Sequence, residues 1–124
     1  MSEALDRFGR LVMETLRDRA FETADMILSG DSKAPSLATL QAGLARLDDG
    51  ERELARRLVR IVLDSAIHDF LFALHELHEA DRPILLLADG EDVAASSDGL
   101  HGEAFGDTGW QSRFSRYGRA PDEA

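Results

Sequence analysis

Residues 58–77 read LVRIVLDSAIHDFLFALHEL, and this stretch decides the fold because it is the longest strongly apolar segment of the chain. Placed on a helix, its apolar side chains occupy most of the circumference, which is typical of a helix buried on nearly all sides. Charged turns extend the helix back to about Glu51, and Pro83 ends it near Ala80, since proline disfavours helical backbone in the residue before it. The sequence therefore predicts one long central helix over about residues 51–80, enclosed along most of its girth.

Two further helices are predicted before the central one. Residues 3–28 form an amphipathic pattern, because their apolar side chains recur at three- and four-residue steps on one face. A shorter helix begins near Pro35 and carries a stripe of leucines with the same spacing. We expect both stripes to pack on the central helix. They consist of Leu5, Phe8, Val12, Leu16, Ala20 and Ile27 in the first helix and of Leu37, Leu40, Leu44 and Leu47 in the second.

The pattern changes after Pro83. The run ILLLA at 84–88 predicts a short buried strand, and Asp89-Gly90 is a strong signal for a hairpin turn. Residues 93–96 are the expected return strand. From Ser97 onward the chain is rich in glycine, yet it holds five large apolar side chains, which predicts an ordered, irregular loop docked on the helices. These five are Leu100, Phe105, Trp110, Phe114 and Tyr117.

The fold class that these patterns predict is α+β and mainly α, with three helices, a C-terminal β-hairpin and an ordered loop rich in glycine and aromatic residues. The 124 residues fit one domain, divided into a helical part (1–80) and a part with the hairpin and the C-terminal docking segment (81–124). Two short helices and a hairpin are too little to cover the central helix fully. We therefore expect a homodimer.

Composition narrows the classes of function. The chain has no cysteine, which excludes disulfides, thiolate metal ligands and cysteine nucleophiles. A net charge of −10 argues against nucleic-acid binding and is compatible with a basic protein partner. The first residues mix charges, unlike a signal peptide, and no apolar run approaches the roughly 20 residues that span a bilayer. We therefore expect a cytoplasmic protein without a membrane partner.

A narrow polar stripe runs along the predicted central helix, within an arc of about 40° at 100° per residue. One interpretation is that this stripe is the exposed face of the helix. Asp64 would then support His68 one turn on, and His75 would pair with Glu79. The stripe consists of Arg57, Asp64, His68 and His75.

A second interpretation of the stripe is a metal site. His75 lies three residues before His78 and four before Glu79, spacings at which two side chains can reach one ion. The segment HELHE at 75–79 resembles the zinc-protease motif, but its histidines are three apart rather than four, so the motif fails. A further ligand has to come from another element, and His101 is the only histidine outside the central helix.

A third interpretation is general acid–base chemistry by Asp64 and His68, because a histidine oriented by a carboxylate is the right kind of base. The neighbouring Ser65 lacks the sequence context of an activated nucleophile. Asp69 lies between apolar neighbours and must be paired or reach water. The sequence leaves all three interpretations of the stripe open.

The C-terminal segment interleaves arginines with aromatic residues. Its aromatic side chains can simply cover the helices, as docking segments do. Tryptophan, tyrosine and arginine are also enriched at binding hot spots, so a protein-binding face is the functional alternative. The candidates are Trp110, Arg113, Phe114, Arg116 and Tyr117.

The segment SDGLHGEAF at 97–105, followed by Gly109-Trp110 and Arg113-Phe114-Ser115, resembles a family of small bacterial proteins of unknown function. The stretch HDFLF at 68–72 is similar to the same family. The resemblance implies no known activity, so it transfers no functional residue to this chain.

Two classes of function follow from the sequence, and neither implies a cofactor. The first is a non-enzymatic module for protein–protein interaction or regulation, with the small, acidic profile of bacterial immunity proteins that neutralise basic toxins. The alternative is a small enzyme, or a ligand- or metal-binding protein, that uses Asp64, His68, His75 and His101. The second class requires the polar stripe to face a pocket and to meet His101.

Overall fold

The computed structural model describes residues 2–79, 81 and 84–118. Across these residues the chain is mainly helical and has one small antiparallel sheet. In chain order the elements are α1 (Glu3–Leu11), a π-helical segment (Val12–Arg17), α2 (Asp18–Leu28), a 3-10 turn (Pro35–Leu37), α3 (Ala38–Leu44), α4 (Asp49–Glu79), β1 (Leu87–Ala88), β2 (Glu91–Asp92), α5 (Leu100–Ala104) and α6 (Trp110–Phe114).

The first helix runs without a break through α1, the π-helical segment and α2, which confirms the helix predicted over residues 3–28. It begins at Ser2, whose hydroxyl accepts a hydrogen bond from the backbone N–H of Leu5. A π-helical turn holds one residue more than an α-helical turn. The side of the helix that is buried at Met13 is therefore buried again at Arg17 and Asp18. Leu16, which the sequence places on the inner stripe, is therefore 47% exposed, and that prediction is wrong.

The long central helix is confirmed as α4. It opens with a capping box, in which the Asp48 carboxylate accepts from the N–H of Glu51 and the Glu51 carboxylate accepts from the N–H of Asp48. These two bonds satisfy backbone donors that a helix start leaves unpaired. Ala80, where the sequence predicts the end of this helix, lies outside the described residues, as do residues 82 and 83.

The single chain does not enclose α4 along most of its girth, and whether a homodimer completes the enclosure stays a prediction. Its buried residues are Asp64, Ile67 and Leu71, which lie on one side. Leu58 is 63% exposed and Phe70 is 60% exposed. The first helix and the C-terminal segment cover the side that carries Asp64 and leave the opposite apolar side open. Within the described residues, no helix combines the length and the hydrophobicity that crossing a lipid bilayer requires.

The number of helices also differs from the prediction. The described residues form five α-helices rather than three, if α1 and α2 are counted as the one helix that they form. The two additional helices, α5 and α6, lie in the segment that the sequence predicts to be an irregular loop. Each spans five residues and directly follows a glycine, Gly99 or Gly109, and helices this short show no amphipathic period.

The predicted hairpin is present but shorter. Strands β1 and β2 pair antiparallel, with Leu87 opposite Asp92 and Ala88 opposite Glu91. The turn residues Asp89 and Gly90 have positive φ angles of 53° and 77°, as a two-residue hairpin loop requires. Because this loop is so tight, the return strand is 91–92, and residues 93–96 form a turn rather than the expected strand. The apolar run before the turn is not a buried strand either, since residues 84, 85 and 87 are exposed.

Trp110 anchors the C-terminal segment in the core, which confirms that this segment docks on the helices. Its indole ring is fully buried, lies against Gly9 and meets the ring of Phe8 edge-on, with 5.6 Å between the ring centroids. Contacts with α5 and the turn after β2 complete the core. The buried apolar residues of this core are Ala4, Leu5, Val12, Met13, Ile67, Leu71, Val93, Ala94, Leu100, Ala104 and Trp110.

Candidate functional site

The polar stripe of α4 faces the protein interior at Asp64. The Asp64 carboxylate forms a two-pronged ion pair with Arg17 of the π-helical segment, with Nε 2.6 Å from Oδ1 and Nη2 3.0 Å from Oδ2. The Arg17 side chain is fully buried and that of Asp64 is 5% exposed. The interpretation of this part of the stripe as a solvated face is therefore wrong.

Further hydrogen bonds connect this ion pair to the end of α6. Gln111 Nε2 donates to Asp64 Oδ2 over 3.4 Å, and Arg17 Nη1 donates to the Ser115 hydroxyl over 2.8 Å. The same hydroxyl donates to Asp18 Oδ1 over 2.6 Å. The buried polar network thus joins the first helix, α4 and the C-terminal segment, and it gives Asp64 a structural role.

His68 lies beside the network rather than in it. Its Nδ1 atom is 3.1 Å from Asp69 Oδ1, and its side chain is about half exposed. Since Asp64 is held by Arg17 and Gln111, the structure does not form the Asp64–His68 pair that acid–base catalysis requires. The two residues do line an open hollow of about 350 Å³, together with Ser65, Asp69 and Phe105.

All four histidines of the chain lie close together, which the sequence left open. The ring of His101, on α5, has its centroid 5.3 Å from that of His68 and 6.5 Å from that of His75. It also meets Phe72 edge-on at 4.9 Å. The His75 and His78 rings are 5.8 Å apart. The stripe therefore does meet His101, as the ligand-binding alternative requires.

The ring nitrogens of two of these histidines connect elements of the fold. His75 Nδ1 accepts a hydrogen bond from the backbone N–H of Leu100 at the start of α5, and its Nε2 lies 3.5 Å from a Glu79 carboxylate oxygen. His78 Nδ1 lies 3.4 Å from an Asp92 carboxylate oxygen on β2. These contacts attach α5 and the hairpin to the C-terminal half of α4.

The metal interpretation gains no geometric support from this cluster. In the ranges that the structure describes, no three histidine or carboxylate side chains are placed to hold one metal ion. That statement includes the candidates His75, His78, Glu79 and His101, although the histidine rings are neighbours. His75 Nδ1 accepts from the N–H of Leu100 and His78 Nδ1 lies near Asp92, so these two nitrogens face different elements rather than one common point.

The C-terminal arginines and aromatic residues face the first helix. Arg113 pairs with Asp6 over 2.9 Å and lies over the ring of Phe114, while Arg116 pairs with Asp18 and Glu22. Tyr117 meets Phe21 edge-on, with 5.2 Å between the centroids. Together with the buried Trp110, these contacts give the segment a role within the chain. Whether its outer edge also binds a protein stays a prediction.

The feature that sequence reasoning missed is an exposed apolar face on α4. The same side chains were recognised as apolar in the sequence, but they were expected inside. A helix with a narrow polar arc can present either side to its neighbours, and the inner side is set here by the ion pair of Asp64 with the buried Arg17, which no pattern in the sequence indicates. We define the apolar face by Leu54, Leu58, Ile61, Val62, Ala66, Phe70 and Phe72, all exposed.

A groove borders the apolar face on the side of the first helix. Two adjoining hollows of about 270 and 420 Å³ share Leu63 and Ala66 as lining residues. Leu16 and Ala20 of the first helix form the opposite wall. The surface of both hollows is almost entirely apolar, so the groove extends the apolar face towards the first helix.

The apolar face is large for a single chain. Six of its seven side chains are large hydrophobics that are 41% to 63% exposed. Exposed apolar side chains of a monomer are usually scattered singly, and a contiguous group of them is typical of an interaction site. The apolar face therefore has the character of one side of a protein–protein interface.

Comparison with known proteins identifies no relative, because no family model, no curated protein and no solved structure matches the chain significantly. The resemblance to small bacterial proteins of unknown function therefore stays a prediction.

Proposed function

We propose that this protein is a non-enzymatic protein-interaction module and that its apolar face binds a second copy of the same chain. The observation that carries the proposal is the exposure of the apolar face, with Leu58 63% and Phe70 60% exposed. Fully burying one such side chain contributes about 1.5–3 kcal/mol. In a homodimer, one symmetric contact buries the apolar face of both copies.

The charge distribution favours a second copy over a basic protein as the occupant of the apolar face. From Leu54 to Ala66, every exposed position of α4 is uncharged: Leu54, Leu58, Ile61, Val62, Ser65 and Ala66. A basic partner gains nothing from electrostatic attraction at such a surface, whereas apolar burial drives association of two identical copies. In this proposal the contact is centred on this uncharged stretch of α4.

A charge placed in the apolar face tests the proposal. In sedimentation or light-scattering measurements, the wild-type chain is expected at twice the 13.7 kDa of one chain. Val62→Glu should give a monomer with an unchanged circular-dichroism spectrum, because burying an unpaired carboxylate in the contact is costly. The matched control is Leu40→Glu, since Leu40 is also exposed but lies on α3. It should remain dimeric.

Two results would overturn the homodimer. The first is a wild-type chain that is monomeric at concentrations of tens of micromolar, which would leave the apolar face to a different protein, such as the basic toxin that an immunity-like role requires. The second is dissociation by Leu40→Glu but not by Val62→Glu, which would place the contact elsewhere.

Binding of a small cationic ligand is a second candidate function, favoured by the exposed Asp69 carboxylate in an open hollow beside the histidines, since the other carboxylate of the hollow, Asp64, is already paired with Arg17. His68 and Asp69 line this hollow, and His101 packs against His68. The test is a titration with the diamine putrescine, followed by the NMR signals of the histidine rings. Selective shifts of His68 and His101 that Asp69→Asn abolishes would support the site, and unchanged signals would overturn it.

A further inference from the structure

We infer that the two copies pack with their α4 helices antiparallel, related by a two-fold axis that passes close to Ser65. This inference rests on the proposed homodimer and adds its geometry. An isologous contact requires a surface that is complementary to itself after a rotation of 180°. The arrangement of side chain sizes and charges along α4 meets this requirement in the antiparallel orientation.

One pair of large apolar side chains stands symmetrically about Ser65. Leu58 lies seven residues before it and Phe72 seven residues after it, so both stand two helical turns away on the same line of the helix. All three residues are exposed. In an antiparallel pair centred on Ser65, Leu58 of each copy meets Phe72 of the other. The small Ser65 and Ala66 at the centre let the two helices approach closely.

The exposed residues along this side of α4 also have the spacing of a helix–helix seam. Exposed residues recur along α4 at alternating steps of four and three, which is the pattern that keeps one seam facing a partner helix over several turns. Apolar residues occupy most of these positions, and His68 stands at one of them. The seam consists of Leu54, Leu58, Ile61, Ser65, His68 and Phe72.

Charge distinguishes the antiparallel from the parallel orientation. Residues 51–60 hold four arginines and two glutamates, while residues 65–79 hold three carboxylates and no lysine or arginine. Parallel packing would set like charges beside each other, which costs free energy. Antiparallel packing separates the carboxylates of the two copies and sets them beside the half of α4 that holds the arginines. Of these, Arg52, Arg56 and Arg60 also contact the first helix or the C-terminal segment of their own chain.

Asp69 fits this orientation. Its side chain is 81% exposed and stands among the apolar residues of α4, where a parallel partner would bring another Asp69 close to it. Asp69 lies four residues after Ser65, so in the antiparallel pair it stands opposite Ile61 of the second copy. That position is one helical turn from Arg57 of the second copy.

Cysteine cross-linking tests the orientation, since the natural chain has no cysteine. A disulfide needs Cα atoms within about 7 Å. Ser65→Cys, close to the axis, should form a disulfide-linked dimer under mild oxidation. Leu58→Cys should not link to itself, because fourteen residues of helix rise, about 21 Å, separate the two copies of that position. A mixture of Leu58→Cys and Phe72→Cys chains should form the mixed dimer.

The control is Leu40→Cys, an exposed position on α3 that should form no linked dimer in either orientation. Self-linking of Leu58→Cys as fast as that of Ser65→Cys would show a parallel pair and overturn the inference while leaving the homodimer intact. A dimer by sedimentation without linking at Ser65→Cys would also overturn it. A monomer by sedimentation would instead overturn the proposed function itself.

Discussion

Arg17 and Asp64 meet inside the protein through two hydrogen bonds, which join the π-helical segment of the first helix to the middle of α4. The pair fixes how α4 is rotated about its own axis. Because the Asp64 carboxylate points to the first helix, the residues on the other side of α4, such as Val62, point outward. The ion pair inside and the apolar face outside are therefore two consequences of one orientation.

Removing one partner of this ion pair is expected to be strongly destabilising. Asp64→Leu leaves the Arg17 guanidinium buried without its counter-ion, which should lower the free energy of unfolding by about 3–5 kcal/mol. The double variant Arg17→Met with Asp64→Leu should lose less than Asp64→Leu alone, because no unpaired charge stays buried. Urea denaturation at a fixed protein concentration measures both values.

The control for this experiment is the surface ion pair of Arg56 with Asp25, whose side chains are 38% and 48% exposed. Asp25→Ala should change the free energy of unfolding by no more than about 1 kcal/mol. If Asp64→Leu costs no more than this control, the buried ion pair does not determine the orientation of α4.

The close contact between Gly9 and Trp110 gives a second prediction. A Cβ atom at position 9 would overlap the indole ring of Trp110, which is fully buried. Gly9→Ala should therefore lower the free energy of unfolding by about 1–3 kcal/mol, despite the better helix propensity of alanine. Thermal or urea denaturation measures the change.

Gly43 provides the matched control, because it also lies in a helix but no atom stands within 4 Å of an added Cβ. Gly43→Ala should stabilise the protein by up to about 1 kcal/mol. Equal effects of both substitutions would mean that the indole ring does not lie against Gly9.

The sequence predicts the elements of this fold better than it predicts their orientation. Hydrophobic periodicity locates the first helix and α4, because both are long enough to show it. The rotation of α4 depends on Arg17, and a lone arginine in an amphipathic helix is normally a solvated residue. The π-helical turn that brings Arg17 inward has no mark in the periodicity, so the sequence leaves the surroundings of Asp64 open and predicts Phe70 to be buried.

The histidine cluster shows the same limit for the candidate site. The spacing of His68 and His75 predicts that they share one side of α4, and they do. Their contact with His101 depends on where α5 docks. A five-residue helix in a glycine-rich segment has no pattern from which its docking position can be derived. The sequence therefore gives the contact with His101 only as a requirement of the ligand-binding alternative.

A third prediction concerns Ser115, whose hydroxyl forms hydrogen bonds with Arg17 and Asp18 at the same time. It accepts from the Arg17 guanidinium and donates to the Asp18 carboxylate. Ser115→Ala leaves both buried charged groups short of one hydrogen bond, so the free energy of unfolding should fall by about 1–3 kcal/mol. Ser112→Ala is the control, because the Ser112 hydroxyl donates to the Gly106 carbonyl at an exposed position. A larger loss for the control would contradict the role of Ser115.

The last prediction concerns the attachment of α5 by His75. The Nδ1 atom of His75 accepts from the backbone N–H of Leu100, a residue that is fully buried at the start of α5. His75→Ala removes the acceptor, so the amide of Leu100 should lose protection against hydrogen exchange by about five-fold, the equivalent of roughly 1 kcal/mol. NMR-detected exchange of individual amides measures this loss.

A conservative variant separates the hydrogen bond from simple packing. In His75→Asn the side-chain carbonyl oxygen can take the place of Nδ1 as acceptor, so Leu100 should regain most of its protection. The amide of Arg113, which donates to the Gly109 carbonyl in α6, reports general loosening and should stay unchanged in both variants. If Leu100 exchanges at the wild-type rate in His75→Ala, its amide does not depend on His75, and α5 is then held to α4 by side-chain packing rather than by this hydrogen bond.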